Sequence, residues 1–103
     1  MTAIRDIAKA CKSKNAGPFE VTIDVVFDDR DLFERVRASR VLGPELFARL
    51  YKVRPDQVLF TEYPAGYAFK ATLPRLVAAG GIGDTDVYGA QQHAPLLDVE
   101  IPL

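Results

Sequence analysis

Cysteine, histidine and methionine are scarce in this sequence, with one of each in 103 residues, and tryptophan is absent. Because Cys11 is the single cysteine, an internal disulfide is excluded, and one thiolate is too few for a thiolate metal site. The single histidine, His93, has no second histidine or cysteine close to it in sequence, which makes a poor metal centre. We therefore expect neither a bound metal nor a cofactor.

Long apolar runs and clusters of basic charge are also missing. The apolar runs are too short to cross a bilayer, so no membrane segment is expected. Residues 1–7 lack the apolar stretch of a secretory signal, and we expect a cytoplasmic protein. The net charge is −1 and the basic residues are scattered, which argues against nucleic acid, because binding it requires a basic surface that neutralises phosphates.

Recognisable catalytic and nucleotide-binding motifs are lacking as well. No serine or cysteine stands in a nucleophile motif, and no glycine fingerprint opens a helix for a dinucleotide. The glycine count and the lysine placement around Lys14 do not fit a P-loop. The residues alone therefore identify no reaction.

The length of the chain predicts one domain over residues 1–103, because this is a common size for a single core. Residues 20–27 alternate apolar and polar side chains, as in a half-buried strand. Asp28 and Asp29 follow it and suit the start of a helix. A second helix is predicted from Leu42-Gly43-Pro44-Glu45, because proline suits the first helical turn.

The second half of the chain predicts a hairpin and a final strand. Residues 54–56 indicate a turn, and the strands 58–63 and 67–73 are joined through Pro64-Ala65-Gly66. The segments after the hairpin are predicted as follows: a glycine-rich loop over 76–83, a short helix over 86–93, and a strand over 96–101.

Residues 4–11 fit both a strand and a short helix, and we predict a strand. The sum is an α+β fold, a layered sheet with helices on one face.

Two segments are dense in polar chemistry. The first, residues 13–18, contains Ser13, Lys14, Asn15 and Gly17 between two predicted strands, and such a loop can hold a carboxylate or phosphate. The alternative is a solvated hairpin turn with an incidental lysine.

The second segment, residues 83–95, contains Tyr88, Gln91, Gln92 and His93. His93 is the candidate acid or base, because imidazole titrates near neutrality, and the glutamines offer neutral donors and acceptors to a polar ligand. The alternative is a structural or exposed histidine on an ordinary helix. Nearby aspartates are explained by helix capping and solvation without a cation.

The chain resembles a short family of bacterial and fungal proteins classed as a domain of unknown function. The resemblance is carried by three stretches: Ile4-Arg5-Asp6-Ile7-Ala8-Lys9 with Lys12 to Glu20, Phe27-Asp28-Asp29-Arg30, and Asp86 to Leu97. That family accompanies larger proteins of the acyclic terpene utilisation AtuA type, and the chain is distantly similar to the ferredoxin-like C-terminal domain of AtuA proteins. This similarity implies a ferredoxin-like layered sandwich with a mostly antiparallel sheet.

The resemblance implies that the chain is a small subunit that partners an AtuA-type large subunit. The complex would act in the catabolism of a small carboxylic acid or acyl-CoA, with hydration or dehydration as the expected reaction. The implied pocket has Lys14 and Asn15 on the substrate and His93 as the catalytic group. Two alternatives stay open: a stand-alone homo-oligomeric lyase or isomerase with His93 as general base, and a non-catalytic regulatory or structural module.

Overall fold

The structure, a computed structural model, describes residues 1–17, 19–74 and 94–103. The predicted loop over 76–83 and the predicted helix over 86–93 lie outside these residues. In chain order the regular elements are β1 Thr2–Ala3, α1 Ile4–Ile7, β2 Ala10–Asn15, β3 Glu20–Val26, α2 Arg30–Ser39, α3 Pro44–Tyr51, β4 Leu59–Tyr63, β5 Ala68–Pro74 and β6 Glu100–Ile101. Single 3₁₀ turns occupy Pro55–Gln57, Pro64–Gly66 and Ala94–Asp98.

The main layer is a four-stranded antiparallel sheet in the order β2-β3-β5-β4, so that two hairpins are joined through α2 and α3. β1 and β6 pair in a second, two-stranded antiparallel sheet. The predicted α+β layered sandwich is confirmed, with a mostly antiparallel sheet and α2 and α3 packed on one of its faces.

The helix starts follow the capping rules that the sequence suggested. The side chain of Asp29 accepts a hydrogen bond of 3.0 Å from the backbone amide of Leu32, which satisfies one free donor of the first turn of α2. Pro44 occupies the first turn of α3, where a missing amide hydrogen leaves no partner unsatisfied. Both helices therefore begin where the sequence predicts.

The core lies between the helices and one face of the sheet. Phe33 of α2 stacks on Phe69 of β5 with ring centroids 4.8 Å apart, and Phe47 of α3 lies 6.0 Å from Phe60 of β4. Fully burying one such side chain contributes about 1.5–3 kcal/mol. These aromatic contacts fix α2 and α3 over β5 and β4.

Two predictions about the ends of the chain are wrong. Residues 4–11 are not one strand: Ile4–Ile7 form a single helical turn, and the strand begins only at Ala10. Ile4 is fully buried, and its amide donates to the carbonyl of Val99, so tertiary contacts hold this turn. The final strand is likewise shortened to Glu100–Ile101.

Before that short strand, Ala94–Asp98 form a 3₁₀ turn, in which the amide of Val99 donates to the carbonyl of Leu96. Leu96 is fully buried. Of the alternating residues Leu97, Val99 and Ile101, only Ile101 is fully buried, so the alternation does not mark one continuous strand.

Candidate functional site

The four-stranded sheet has one face toward the helices and one toward solvent. Along β5, Phe69, Ala71 and Leu73 are buried, whereas the residues between them are only half-buried. The register of the strands places the following residues on the solvent side, which we call the open face: Ala10, Lys12, Lys14, Glu20, Thr22, Asp24, Val26, Leu59, Thr61, Tyr63, Ala68, Lys70, Thr72 and Pro74. No buried apolar residue of the described strands lies there.

Charged and hydroxyl side chains cross the middle of the open face in two rows. The first row runs Lys12, Asp24, Lys70 and Thr61 across β2, β3, β5 and β4. Its cations flank a single carboxylate, so the row carries a net positive charge.

In the second row, Thr22 and Thr72 are cross-strand partners whose hydroxyl oxygens lie 3.0 Å apart, between Lys14 on β2 and Leu59 on β4. The hydrogen bond between the threonines occupies part of their capacity and rigidifies the centre of the face. Thr22 is buried by its neighbours, while Lys14 and Leu59 at the two edges are exposed.

The lysines of the open face are available for an outside partner. The ion pairs among the described residues include none of Lys12, Lys14 and Lys70. The ammonium of Lys70 lies 5.5 Å from the ring centroid of Tyr63, a cation–π arrangement at the border with β4. A shallow depression of about 310 Å³ opens between Lys12, Lys70 and Tyr63.

The predicted residues of the β2–β3 segment separate between the two faces. Ser13, Lys14 and Asn15 belong to β2 itself and not to a loop, and successive strand residues point to opposite sides. Lys14 is exposed on the open face, whereas Ser13 is buried on the helix side together with half-buried Asn15. Gly17, in the turn, has a φ of 97°, a conformation that favours glycine.

The structure thus gives Lys14 different neighbours from those expected. It joins Lys12 and Thr22 on one surface, and it does not share a pocket with Ser13 and Asn15. The other predicted site residues, Tyr88, Gln91, Gln92 and His93, lie outside the described residues, and their roles stay predictions.

Cys11 and Tyr51 lie on the helix side of the sheet and are poor candidates for chemistry. Burial raises the pKa of the Cys11 thiol to about 11, and the nearby Asp24 carboxylate adds to the effect. Burial also raises the pKa of Tyr51, with a further contribution from Cys11. Both groups are held protonated at neutral pH, so the thiol is not a nucleophile there.

A second surface feature lies on the helix side, next to β4. Arg37 of α2 donates from Nε to Oε1 of Glu62 at 2.9 Å and lies 3.5 Å from Glu34. With Ala38 and Arg40 these residues line a groove of about 360 Å³. The groove is charged but locally paired, which makes it a weaker ligand site than the open face.

The described residues contain neither a cluster of metal-ligating side chains nor a membrane-spanning helix. No three His, Cys, Asp or Glu side chains among them come close enough to hold a metal ion. Of the helices in this part of the chain, none has the length and apolar character needed to cross a membrane.

Sequence reasoning missed Lys12, Asp24 and Lys70. The signal was present: polar residues at 12 and 14, 22 and 24, and 70 and 72 each share one side of their strand. Only the pairing register shows that these three polar sides form a single surface.

The fold and the open face together define a small α+β domain with one solvent-facing side of an antiparallel sheet. A family model, the domain of unknown function DUF4387, matches residues 4–100, and the chain belongs to this family. No curated protein and no solved structure matches the chain significantly.

Proposed function

We propose that this chain is the small subunit of a two-component enzyme and docks on a larger protein through the open face. One observation carries the proposal: three lysines without an ion pair among the described residues lie on a surface bordered by exposed Leu59 and Tyr63. Unpaired cations beside exposed apolar side chains suit an acidic protein surface with an apolar border.

The identity of the large subunit comes from the sequence resemblance. The proposed partner is an AtuA-type protein, and the proposed substrate is a small carboxylic acid or its CoA thioester, with hydration or dehydration as the reaction. In this proposal Lys14 holds a carboxylate where the two subunits meet, because an ammonium is a strong donor to carboxylates. His93 exchanges a proton with the substrate hydroxyl.

Copurification tests the docking. The tagged chain is coexpressed with an AtuA-type protein, and the complex is followed by size-exclusion chromatography at about micromolar concentration. Reversal of all three open-face lysines, K12E/K14E/K70E, is expected to weaken the complex about 100-fold at low salt, because three attractive contacts become repulsive.

A matched control reverses three exposed cations on the helix side, R35E/R49E/K52E. It changes the net charge equally and is expected to leave the complex intact. Separate elution of the wild-type proteins would refute the docking, and equal loss in both triple variants would assign it to net charge instead of the open face.

Reconstitution tests the reaction. The large subunit is assayed with and without this chain against hydroxy acids and unsaturated acids, and turnover is expected only from the pair. H93A is expected to remove turnover while the complex still forms. Turnover by the large subunit alone at the same rate would contradict a catalytic contribution from this chain.

A further inference from the structure

We propose that two copies of this chain associate through β4, in antiparallel register about a twofold axis at Thr61, to form a continuous eight-stranded sheet from two four-stranded ones. This inference concerns the edge strand of the sheet, although it shares Leu59 and Tyr63 with the border of the open face. It is tested on the chain alone, so its failure can be distinguished from failure of the proposed docking.

The hydrogen-bonding pattern identifies which backbone groups of β4 have no strand partner among the described residues. The amide of Phe27 donates to the carbonyl of Tyr67 at 2.8 Å, which makes 27 and 67 a hydrogen-bonded pair of the β3–β5 ladder. Because such pairs alternate, the odd-numbered residues of β5 bond to β3 and the even-numbered ones bond to β4.

The β4–β5 register then decides the free edge. Leu59, Thr61 and Tyr63 face the even-numbered residues of β5 and form that ladder. The backbone amides and carbonyls of Phe60 and Glu62 therefore point away from the sheet, and β4 pairs with no other strand in the described chain. An exposed row of such groups is a template for another strand.

The side chains of β4 are complementary to themselves. Antiparallel pairing centred on Thr61 places Leu59 of one copy directly opposite Tyr63 of the other, and the reverse. These two are exposed apolar residues, 68% and 46% accessible, and both lie on the open face. An aliphatic–aromatic pair at directly opposed positions is a favourable cross-strand contact, and the symmetry makes it twice.

Charges on the helix side are also balanced in this register. Phe60 lies opposite Glu62 of the other copy, which brings the two Glu62 side chains into a diagonal relation, about 7–8 Å apart. Each Glu62 already accepts a hydrogen bond from Arg37 of its own chain. In each copy the groove beside β4 is lined by two cations, Arg37 and Arg40, and two carboxylates, Glu34 and Glu62. The charges therefore balance, and the two Glu62 carboxylates do not repel unscreened.

The size of the contact sets its strength. A five-residue strand with two exposed apolar side chains buries roughly 700–800 Å² in total, which is in the range of weak, transient interfaces. We therefore expect a concentration-dependent dimer with a dissociation constant on the order of tens of micromolar.

Sedimentation velocity of the chain alone, from about 1 to about 500 µM, tests the association at these strengths. Leu59→Glu is expected to weaken the dimer at least about tenfold, because it places a carboxylate against the Tyr63 ring of the other copy. Phe19→Glu is the matched control, since Phe19 is equally exposed at 69% and is not in β4. A monomer throughout the range overturns the proposal, as does a dimer that both variants weaken equally.

A disulfide tests the register. At the axis, Thr61 would face its own copy in a non-hydrogen-bonded pair with Cα atoms about 4.5 Å apart, within disulfide range. In a Cys11→Ser background, Thr61→Cys is expected to form a covalent dimer under mild oxidation, and Leu59→Cys is not, because its two copies would lie four residues apart along the strands. Equal cross-linking at both positions, or at Leu59→Cys alone, would overturn the register.

Discussion

Neighbouring residues 69 and 70 of β5 should differ sharply in their effect on stability, because they point to opposite sides of the sheet. Phe69 is 1% exposed, and its ring lies 6.1 Å from Phe27, 4.8 Å from Phe33 and 6.0 Å from Phe60. Truncating a buried phenylalanine costs about 3–5 kcal/mol, and the three ring contacts place Phe69→Ala at the upper end of that range. Domains of this size have only about 5–15 kcal/mol of stability in total.

Lys70 is half-buried on the open face, and its one described contact is the cation–π arrangement with Tyr63. That contact contributes about 0.5 kcal/mol at an exposed site, so Lys70→Ala should lower the free energy of unfolding by no more than about 0.5–1 kcal/mol. The expected difference between the two variants is therefore about 3 kcal/mol or more.

Urea unfolding followed by far-UV circular dichroism measures this difference. With a slope of about 1–1.5 kcal/mol per molar urea for a chain of this length, Phe69→Ala should lower the midpoint by about 3 M and Lys70→Ala by less than about 1 M. If Phe69→Ala does not fold, Phe69→Leu provides a milder step with an expected loss of about 1–2 kcal/mol. Similar midpoints for the variants at 69 and 70 would refute the assignment of one buried face and one open face.

Three further predictions concern single positions. Asp29→Ala should lower the free energy of unfolding by about 1 kcal/mol, because the amide of Leu32 loses its capping acceptor. An unchanged midpoint temperature in thermal denaturation would contradict this. Lys52→Gly should raise the free energy of unfolding by about 0.5 kcal/mol, because Lys52 ends α3 with a φ of 59°, where glycine has no steric penalty. A urea midpoint below that of the wild type would contradict this. Cys11 should react with iodoacetamide at pH 8 about 100-fold more slowly than an exposed thiol, because its pKa is raised from 9.0 to about 11 by burial and then by Asp24. Because the unfolded chain loses the Cys11 proton at a lower pH than the folded protein does, the raised pKa stabilises the fold below pH 9.0, and this contribution is lost as the pH rises through about 11. The urea midpoint should therefore fall more over this interval in the wild type than in Cys11→Ser.

Local signals were enough for most of the central elements. The alternation over 20–27 predicted β3, the aspartate at 29 predicted the start of α2, and the proline at 44 predicted the start of α3. Each of these signals acts over a few residues, through side-chain direction or through a hydrogen bond to the nearest backbone. The hairpin of β4 and β5 was predicted for the same reason, since Pro64–Gly66 forms the turn between the strands.

The chain ends were predicted less well because their structure depends on distant contacts. Ile4–Ile7 is too short for helical periodicity to distinguish it from a strand. It is held by a hydrogen bond to Val99, by the burial of Ile4, and by an ion pair between Arg5 and Asp98. None of these contacts is visible in a local window of sequence.

The candidate site shows the same division. The sequence identified Lys14 as a cation in a loop between two strands, and the structure places it in β2 with its side chain exposed. It also grouped Lys14 with Ser13 and Asn15, which the pleat of β2 turns to the other face. Adjacency in sequence therefore suggested one pocket, whereas the strand geometry places Lys14 on a broader surface that also contains Lys12 and Lys70.

By itself the sequence determined the α+β class, the order of the central elements, the starts of two helices and the membership in the DUF4387 family. Only the tertiary structure decided which residues share a face, because the antiparallel register brings Lys12, Asp24 and Lys70 into one row from positions far apart in the chain. The open face and the free edge of β4 both follow from that register, since a shift by one residue would exchange the two faces of the sheet.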